Sequence, residues 1–595
     1  MKRKNKYFQN LANNWFMLML IWKFAPGLLI WELIFGLLLG INNSVQVLFI
    51  NVFYNCIGNG KPFVSALIVI LGMIAYIFCY QIVKQYYFNV IRPSKQQKLQ
   101  YKMHTELFKD AQNVEISNYD DAEFYDNFIW SISQSDTRAI ALLNVLSSII
   151  TSVTSISVMV SLFFSISPPL SLVAVIASIL SLLIQKSNVK ILSQKTLACN
   201  SKNRKISYYE KIYSLSDTAK EVRITHVNEI ILDKYKETLQ EIREIEEEYC
   251  IKSIFYTIAG KILASAVEPF IYIVLLYQIM ITKSVSIAGL AVALSSFWAL
   301  KWSLQSVVDK LVELSEHGIY IEKVRAFMKY KPSLLTGTRT TKTFQSLTMQ
   351  NVSFRYNTGK TALSHINLTI NRGEKIAFVG YNGAGKTTLT KLLLRLYDPA
   401  EGNILYNDSD IKQYELKSYQ SNFGIVFQDF RIFAASIAEN VLCDNYDEKD
   451  ERIVLKALEL STFSDKLKVL PNGIKTQLTK EFCDDGINMS GGELQKIAIA
   501  RIFSSPFNII IMDEPSSSMD PVAEYKINQN INDFASDKTV ITISHRLSTT
   551  RHADKIYFLE NGEIVESGTH DELMAINGKY AEMFRVQAEK YKNSN

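Results

Sequence analysis

Cysteine is scarce in this sequence: Cys56, Cys79, Cys199, Cys250, Cys443 and Cys483 are the only six in 595 residues, with no CxxC pair and no histidine cluster nearby. That excludes a disulfide framework and a zinc site, and leaves the thiols as small apolar side chains kept reduced. Excess charge of one sign is lacking too. The formal net charge is +6, and no basic stripe interleaved with aromatics occurs, which excludes a nucleic-acid partner. The opening MKRKNKYFQN is basic, yet no short apolar core with a small-residue cleavage site follows it. The N-terminus is therefore expected to be retained and cytoplasmic.

Apolar residues are abundant, at 48%, and unevenly spread: nearly all the long apolar runs precede residue 305, and the remainder has the mixed charge of a soluble domain. A chain of this length is expected to hold more than one folding unit. A bilayer core of about 30 Å takes about 20 apolar residues as a helix. Six stretches qualify, about Phe24 to Phe53, Phe63 to Val83, Ala139 to Ser165, Leu170 to Ile184, Ile254 to Ile281 and Val285 to Trp302. They form three hairpins joined by two long polar segments, about 85–138 and 186–253, which are rich in Lys, Arg and Glu and have helical character. With the basic N-terminus inside, an even number of spans puts both segments and the C-terminal half inside as well, in a multi-pass cell-membrane protein.

Some polar residues interrupt the apolar runs. Glu32 and Glu268 are carboxylates where a charge is costly; a cation or amine on the cargo, a protonated or interhelically hydrogen-bonded carboxyl, and a place near a headgroup are all open readings. Asn42, Asn43, Gln46, Asn51 and Asn55 make the outer half of the first span polar, either as an exit path or as contacts between helices.

After a helical connector, about Ser303 to Tyr330, short apolar strands alternate with helices, which predicts an α/β domain with a mainly parallel sheet. The expected limits are 1–330 for an all-α six-helix transmembrane domain, 331–340 for a linker and 341–595 for a cytoplasmic α/β domain. In IAFVGYNGAGKTTLTKLLL a strand leads through Gly380, Tyr381, Asn382, Gly383, Ala384, Gly385, Lys386 and Thr387 into a helix that carries Thr388. This is a P-loop in its strand-loop-helix setting, where glycines let backbone N–H groups converge on phosphate oxygens. Lys386 is expected to reach the β- and γ-phosphates of ATP, and the Thr387 hydroxyl to bind Mg²⁺. Downstream, NIIIMDEP places Asp513 at the end of a buried strand, suited to the Mg²⁺ shell, with Glu514 beside it, suited to a general base. Alone, that pair would read as a capped strand end; a P-loop upstream reverses the odds.

Between these motifs lies Met489-Ser490-Gly491-Gly492-Glu493, followed by LQKIAIAR. It resembles the signature segment of ATP-binding cassette proteins, and the other motifs follow in that family's order. Tyr356 resembles the adenine-stacking aromatic, Gln428 the glutamine loop that can bind Mg²⁺ or water, Ser517-Ser518-Met519-Asp520 the D-loop, and His545 the switch histidine. The whole chain is similar to exporter-type half-transporters, in which the signature of one cassette closes over the P-loop nucleotide of another. That implies a dimer. One chain carries residues for both roles, so a homodimer is the simplest assembly, with a heterodimer of related halves open. Glu493 stands where the family usually has glutamine and Met489 where it usually has leucine, and Phe482-Cys483-Asp484-Asp485-Gly486 departs from the common exporter segment.

The resemblance further implies docking tips at Tyr119 to Asn127 and Leu215 to Ile224, membrane lipid as surroundings, and export of a peptide or an amphiphilic small molecule, the long loops resembling those of bacterial peptide and lantibiotic exporters. No peptidase domain precedes the spans, so leader cleavage is not expected. A lipid flippase, an importer and an ATP-gated channel are alternatives on the same fold; Glu514 and His545 together favour turnover over gating, since a gate needs only binding.

Overall fold

The computed structural model describes residues 2–592 apart from 216–217, 333, 335, 357–358, 515–518 and 545–549. It divides into two compact units, Met1–Val114 with Ala122–Lys331, and Glu115–Asp121 with Pro332–Asn595.

The first unit is helical: α1 Lys2–Phe24, α2 Pro26–Gly58, α3 Phe63–Tyr86, α4 Arg92–Gln112, α5 Ala122–Ile166, α6 Pro168–Ser214, α7 Ala219–Ile224, α8 Val227–Met280 and α9 Ile287–Met328. The first span begins at Pro26, not Phe24, because a proline fits the first turn of a helix and cannot continue the one before it. The α1 helix ahead of it is a separate element, held on α9 by Asn13 and Asn14 amides that donate to the Gly318 and Leu314 carbonyls at 3.1 and 2.8 Å. Between α3 and α4 the backbone widens to a π-turn over Tyr87–Ile91. Pro93 explains it, since its ring cannot sit against the carbonyl four residues back in a regular helix. Among the described residues, four helical segments are long and apolar enough to cross a membrane: Pro26–Gly58, Phe63–Gln112, Glu123–Ile166 and Val227–Met280. The fourth and sixth expected stretches lie in α6 and α9.

Helices α2 and α5 are joined at a repeat of four residues. Ser147, Thr151 and Ser155 hydroxyls donate to the carbonyls of Glu32, Gly36 and Gly40 at 3.4, 3.0 and 3.2 Å. The approach is close enough that a Cβ on Gly40 would stand 2.6 Å from Thr154 Cβ and 2.7 Å from the Thr151 carbonyl oxygen. Small residues at this spacing let two helical backbones touch where apolar lipid supplies no hydrophobic drive.

Both expected membrane carboxylates have partners inside this unit. Glu32 is 2% exposed and pairs with Arg92 at 2.5 Å, and Arg92 also donates to Asn144. Glu268 pairs with Lys301 at 3.1 Å and accepts from Tyr272 at 2.9 Å, while Lys301 lies over the Trp298 ring. Of the polar residues of the first span, Asn42 accepts from Tyr76 and Asn43 donates to Ser155, so those two hold helices together.

The second unit contains two sheets. One is antiparallel, in the order β2-β1-β4-β5, with β1 Ser346–Arg355, β2 Thr361–Asn371, β4 Glu401–Tyr406 and β5 Ser409–Asp410. The other runs β10-β9-β3-β8-β7-β6 and is parallel from β9 to β6, with β3 Lys375–Gly380, β6 Phe423–Val426, β7 Ile509–Asp513, β8 Thr539–Ile543, β9 Lys555–Glu560 and β10 Glu563–Gly568. Every residue of β7 is buried, as a strand covered on both faces by helices must be. Glu115–Asp121, although it lies between α4 and α5 in the chain, belongs to this unit, and the Glu115 carboxylate accepts the Leu334 N–H at 2.7 Å. Of the two expected docking tips, Tyr119–Asp121 falls here and the rest of that segment opens α5; the second includes α7, and its residues 216–217 lie outside the described residues.

Candidate active site

The parallel sheet directs the carboxyl ends of β3 and β7 to one edge, where ligands of open α/β sheets bind. At the end of β3, Gly380 has φ +151°, and a Cβ there would stand 2.2 Å from the Leu559 carbonyl oxygen. Only glycine fits. The loop then enters the helix Lys386–Leu393. Lys386 is buried and folds back over the loop, donating to the Gly380 and Tyr381 carbonyls at 2.8 and 3.1 Å. Burial pushes its ammonium pKa down, against the opposing pull of Glu514 and Asp513.

At the end of β7, Asp513 is 3% exposed. Its carboxyl is pushed up to about 6, first by burial and then by the neighbouring Glu514, with Lys386 working the other way. Glu514 has φ +49°, a left-handed conformation unusual for a side chain with a Cβ, and its N–H donates to the Ile543 carbonyl at 3.0 Å. The Gln428 amide donates to the Glu514 carboxylate at 3.0 Å. Tyr356 is half-buried, edge-on to Phe354 and Tyr397, and shares a hydrogen bond with Thr388 at 2.9 Å.

One cavity of about 930 Å³ gathers Tyr356, Gly380, Asn382, Gly383, Gly385, Lys386, Thr387, Thr388, Gln428, Asp513 and Glu514. A buried cation, glycine-rich backbone at a helix start, and two carboxylates with an amide opposite them suit a polyphosphate and its counter-ion.

Parts of this chain resemble known proteins. The description "ABC transporter" matches residues 363–517. The chain is 28% identical over 505 residues, 83% of its own length and 80% of the other, to the subtilin transport ATP-binding protein SpaT of Bacillus subtilis. It is 38% identical over 239 residues, 40% of each chain, to the putative multidrug export ATP-binding/permease protein YgaD of Bacillus subtilis strain 168. A solved bacterial Atm1-family ABC exporter with ATP bound has the same fold, with a TM-score of 0.75 at 22% identity over 94% of this chain and 98% of that one. The C-terminal unit is an ABC transporter ATPase domain, fused to a helical membrane domain.

The remaining expected residues lie elsewhere in this cassette. Ser490 caps the helix Gly491–Phe503: its hydroxyl accepts the Glu493 N–H at 3.4 Å while the Glu493 carboxylate accepts the Ser490 N–H at 2.7 Å. Ser490, Gly491, Gly492 and Glu493 do not line the nucleotide cavity, and neither does Asp520, which caps the helix Pro521–Phe534 by accepting the Ala523 N–H at 2.8 Å. His545, Ser517 and Ser518 lie outside the described residues.

The cavity also has walls that motif reading passed over: Lys360 to Ala362 at the start of β2, the turn Asn561-Gly562 between β9 and β10, and Met583 of the C-terminal helix. Asn-Gly between two apolar strands signals a hairpin. Nothing local says that this hairpin reaches the P-loop, where the Gly562 N–H donates to the Ala384 carbonyl at 3.1 Å.

Proposed function

We propose that this chain is one half of a dimeric, ATP-driven exporter of a peptide or amphiphilic small molecule, lying in the cell membrane with its cassette and N-terminus in the cytoplasm. The observation that carries the reading is the single cavity that joins Tyr356, the P-loop, Gln428, Asp513 and Glu514. Tyr356 offers a ring face to adenine. The P-loop amides and Lys386 take the phosphates, for which Lys386 exchanges two carbonyls for oxyanions. Glu514, already hydrogen-bonded to Gln428, accepts the proton of the attacking water. His545, which lies outside the described residues, is assigned the γ-phosphate hydrogen bond on the family resemblance alone.

Mg²⁺ suits the donors present: the Thr387 hydroxyl, the Asp513 carboxylate and the Gln428 amide are all oxygen ligands in that cavity, and the raised Asp513 pKa marks a carboxylate in need of positive charge. Bound there, the ion would neutralise phosphate charge.

Two identical halves, each with P-loop and signature, give two equivalent sites. The cargo class rests on similarity to a protein named for subtilin transport and on others named for multidrug export. The direct test is to reconstitute the protein in lipid and screen peptides, amphiphiles and lipids for stimulated ATP hydrolysis, with Glu514→Gln as the control. Stimulation by a peptide or amphiphile, lost in that variant, is the expected result. Turnover by Glu514→Gln at the wild-type rate removes Glu514 as the base.

A further inference from the structure

The helix Gly491–Phe503 opens with an anionic side chain at the end where an anion would bind. Glu493 is its third residue, and its two carboxylate oxygens have different tasks. Oε2 accepts the Ser490 N–H at 2.7 Å, closing a reciprocal capping box. Oε1 stands 2.9 Å from the Lys466 ammonium, on the neighbouring short helix Ser464–Lys468. The box uses the Ser490 and Glu493 amides, and those of Gly491 and Gly492, in the first turn at the positive end of the helix, have no part in it. An uncompensated carboxylate at that end would compete with a phosphate for the same field, whereas glutamine would fill the same cap without charge.

We propose that Lys466 is a positioning residue for ATP hydrolysis: it neutralises Glu493 and holds its carboxylate on the Ser490 amide, so that this helix start can meet the phosphates of the partner subunit's nucleotide. The proposal rests on the dimeric reading above. It makes Lys466 necessary only because residue 493 is glutamate. The side chains of the pair are 37% and 26% exposed, so the cap itself needs little of the attraction for folding. The consequence falls on the nucleotide that must approach.

The test is steady-state ATP hydrolysis by the full-length protein in lipid, titrated with MgATP. Lys466→Met should raise KM for ATP by about three- to tenfold with kcat within about twofold, and more at low ionic strength than at high. With the carboxylate's charge removed, Lys466 becomes dispensable, so adding Lys466→Met to a Glu493→Gln chain should change KM by less than about twofold relative to Glu493→Gln alone. An unchanged KM in Lys466→Met, or an equal rise in the double variant, overturns the proposal. Lys466→Gln, read in the same way, replaces Lys466→Met if the latter does not accumulate.

The dimeric reading is tested separately by mixing Lys386→Ala chains with Gly491→Asp chains, the second position having nothing within 4 Å of a Cβ. If each site joins one chain's P-loop to the other's signature, the two inactive chains restore turnover together. No restoration overturns the dimeric reading; restoration with an unchanged KM in Lys466→Met overturns the Lys466 assignment alone.

Discussion

Asp513 carries the cost of a buried carboxylate set beside another. Its carboxyl is 3% exposed, beside Glu514, and its pKa moves from 3.8 to about 6. A folded-state value above the unfolded one means that the cost is absent below the unfolded value and grows as pH rises through about 6. Two units correspond to about 3 kcal/mol. In chelator, without nucleotide, Asp513→Asn is therefore expected to raise the melting temperature by several degrees at pH 8 and leave it unchanged near pH 4. Equal shifts at both pH values would contradict the electrostatic cause. Lys386 points the other way. Lys386→Ala removes a buried cation from the cavity, and nucleotide affinity measured by fluorescent-nucleotide titration should fall at least tenfold, with the fold retained. At this scale the P-loop was legible because its glycines and lysine are adjacent in the chain. The partners of Glu32 and Glu268 were not: Arg92 lies 60 residues from Glu32 and Lys301 lies 33 from Glu268. Sequence showed that each carboxylate is costly, and the alternative of an interhelical partner is the one the structure holds.

Among elements, the α2–α5 contact decides how the membrane unit packs. A side chain on Gly40 meets Thr154 and the Thr151 carbonyl, while Gly27, in the same helix, has nothing within 4 Å of a Cβ. Gly40→Leu is expected to cost about 2 kcal/mol or more through overpacking and loss of the Ser155 bond, seen as a lower melting temperature in detergent. Gly27→Ala should be neutral or slightly stabilising. A Gly40→Leu protein as stable as Gly27→Ala would show that the contact is not tight. Apolar length made the helices themselves readable. Their pairing was not, since the four-residue repeats of α2 and α5 stand more than a hundred residues apart and only the fold brings them into register. The same holds for the cassette: alternation predicted strands and helices, but the order β10-β9-β3-β8-β7-β6 is what carries the Asn561-Gly562 turn to the P-loop.

At the scale of the whole molecule, the ATPase chemistry and the apolar helices were legible because each is written in contiguous sequence, a motif in one case and a run in the other. The 3₁₀ turn Ile116–Asp120 shows the limit, as it clusters with residues more than two hundred positions later. Cargo is written in no motif and rests on similarity. The central claim, that ATP hydrolysis drives export, is tested most directly in inverted membrane vesicles, with cassettes outward, loaded with neither peptide nor nucleotide. A labelled lantibiotic-class peptide and MgATP are added outside, and internal label is followed for wild type and Glu514→Gln. Accumulation inside above the external concentration is expected for wild type only. Equal internal and external concentrations at steady state, or the same accumulation by Glu514→Gln, would contradict it.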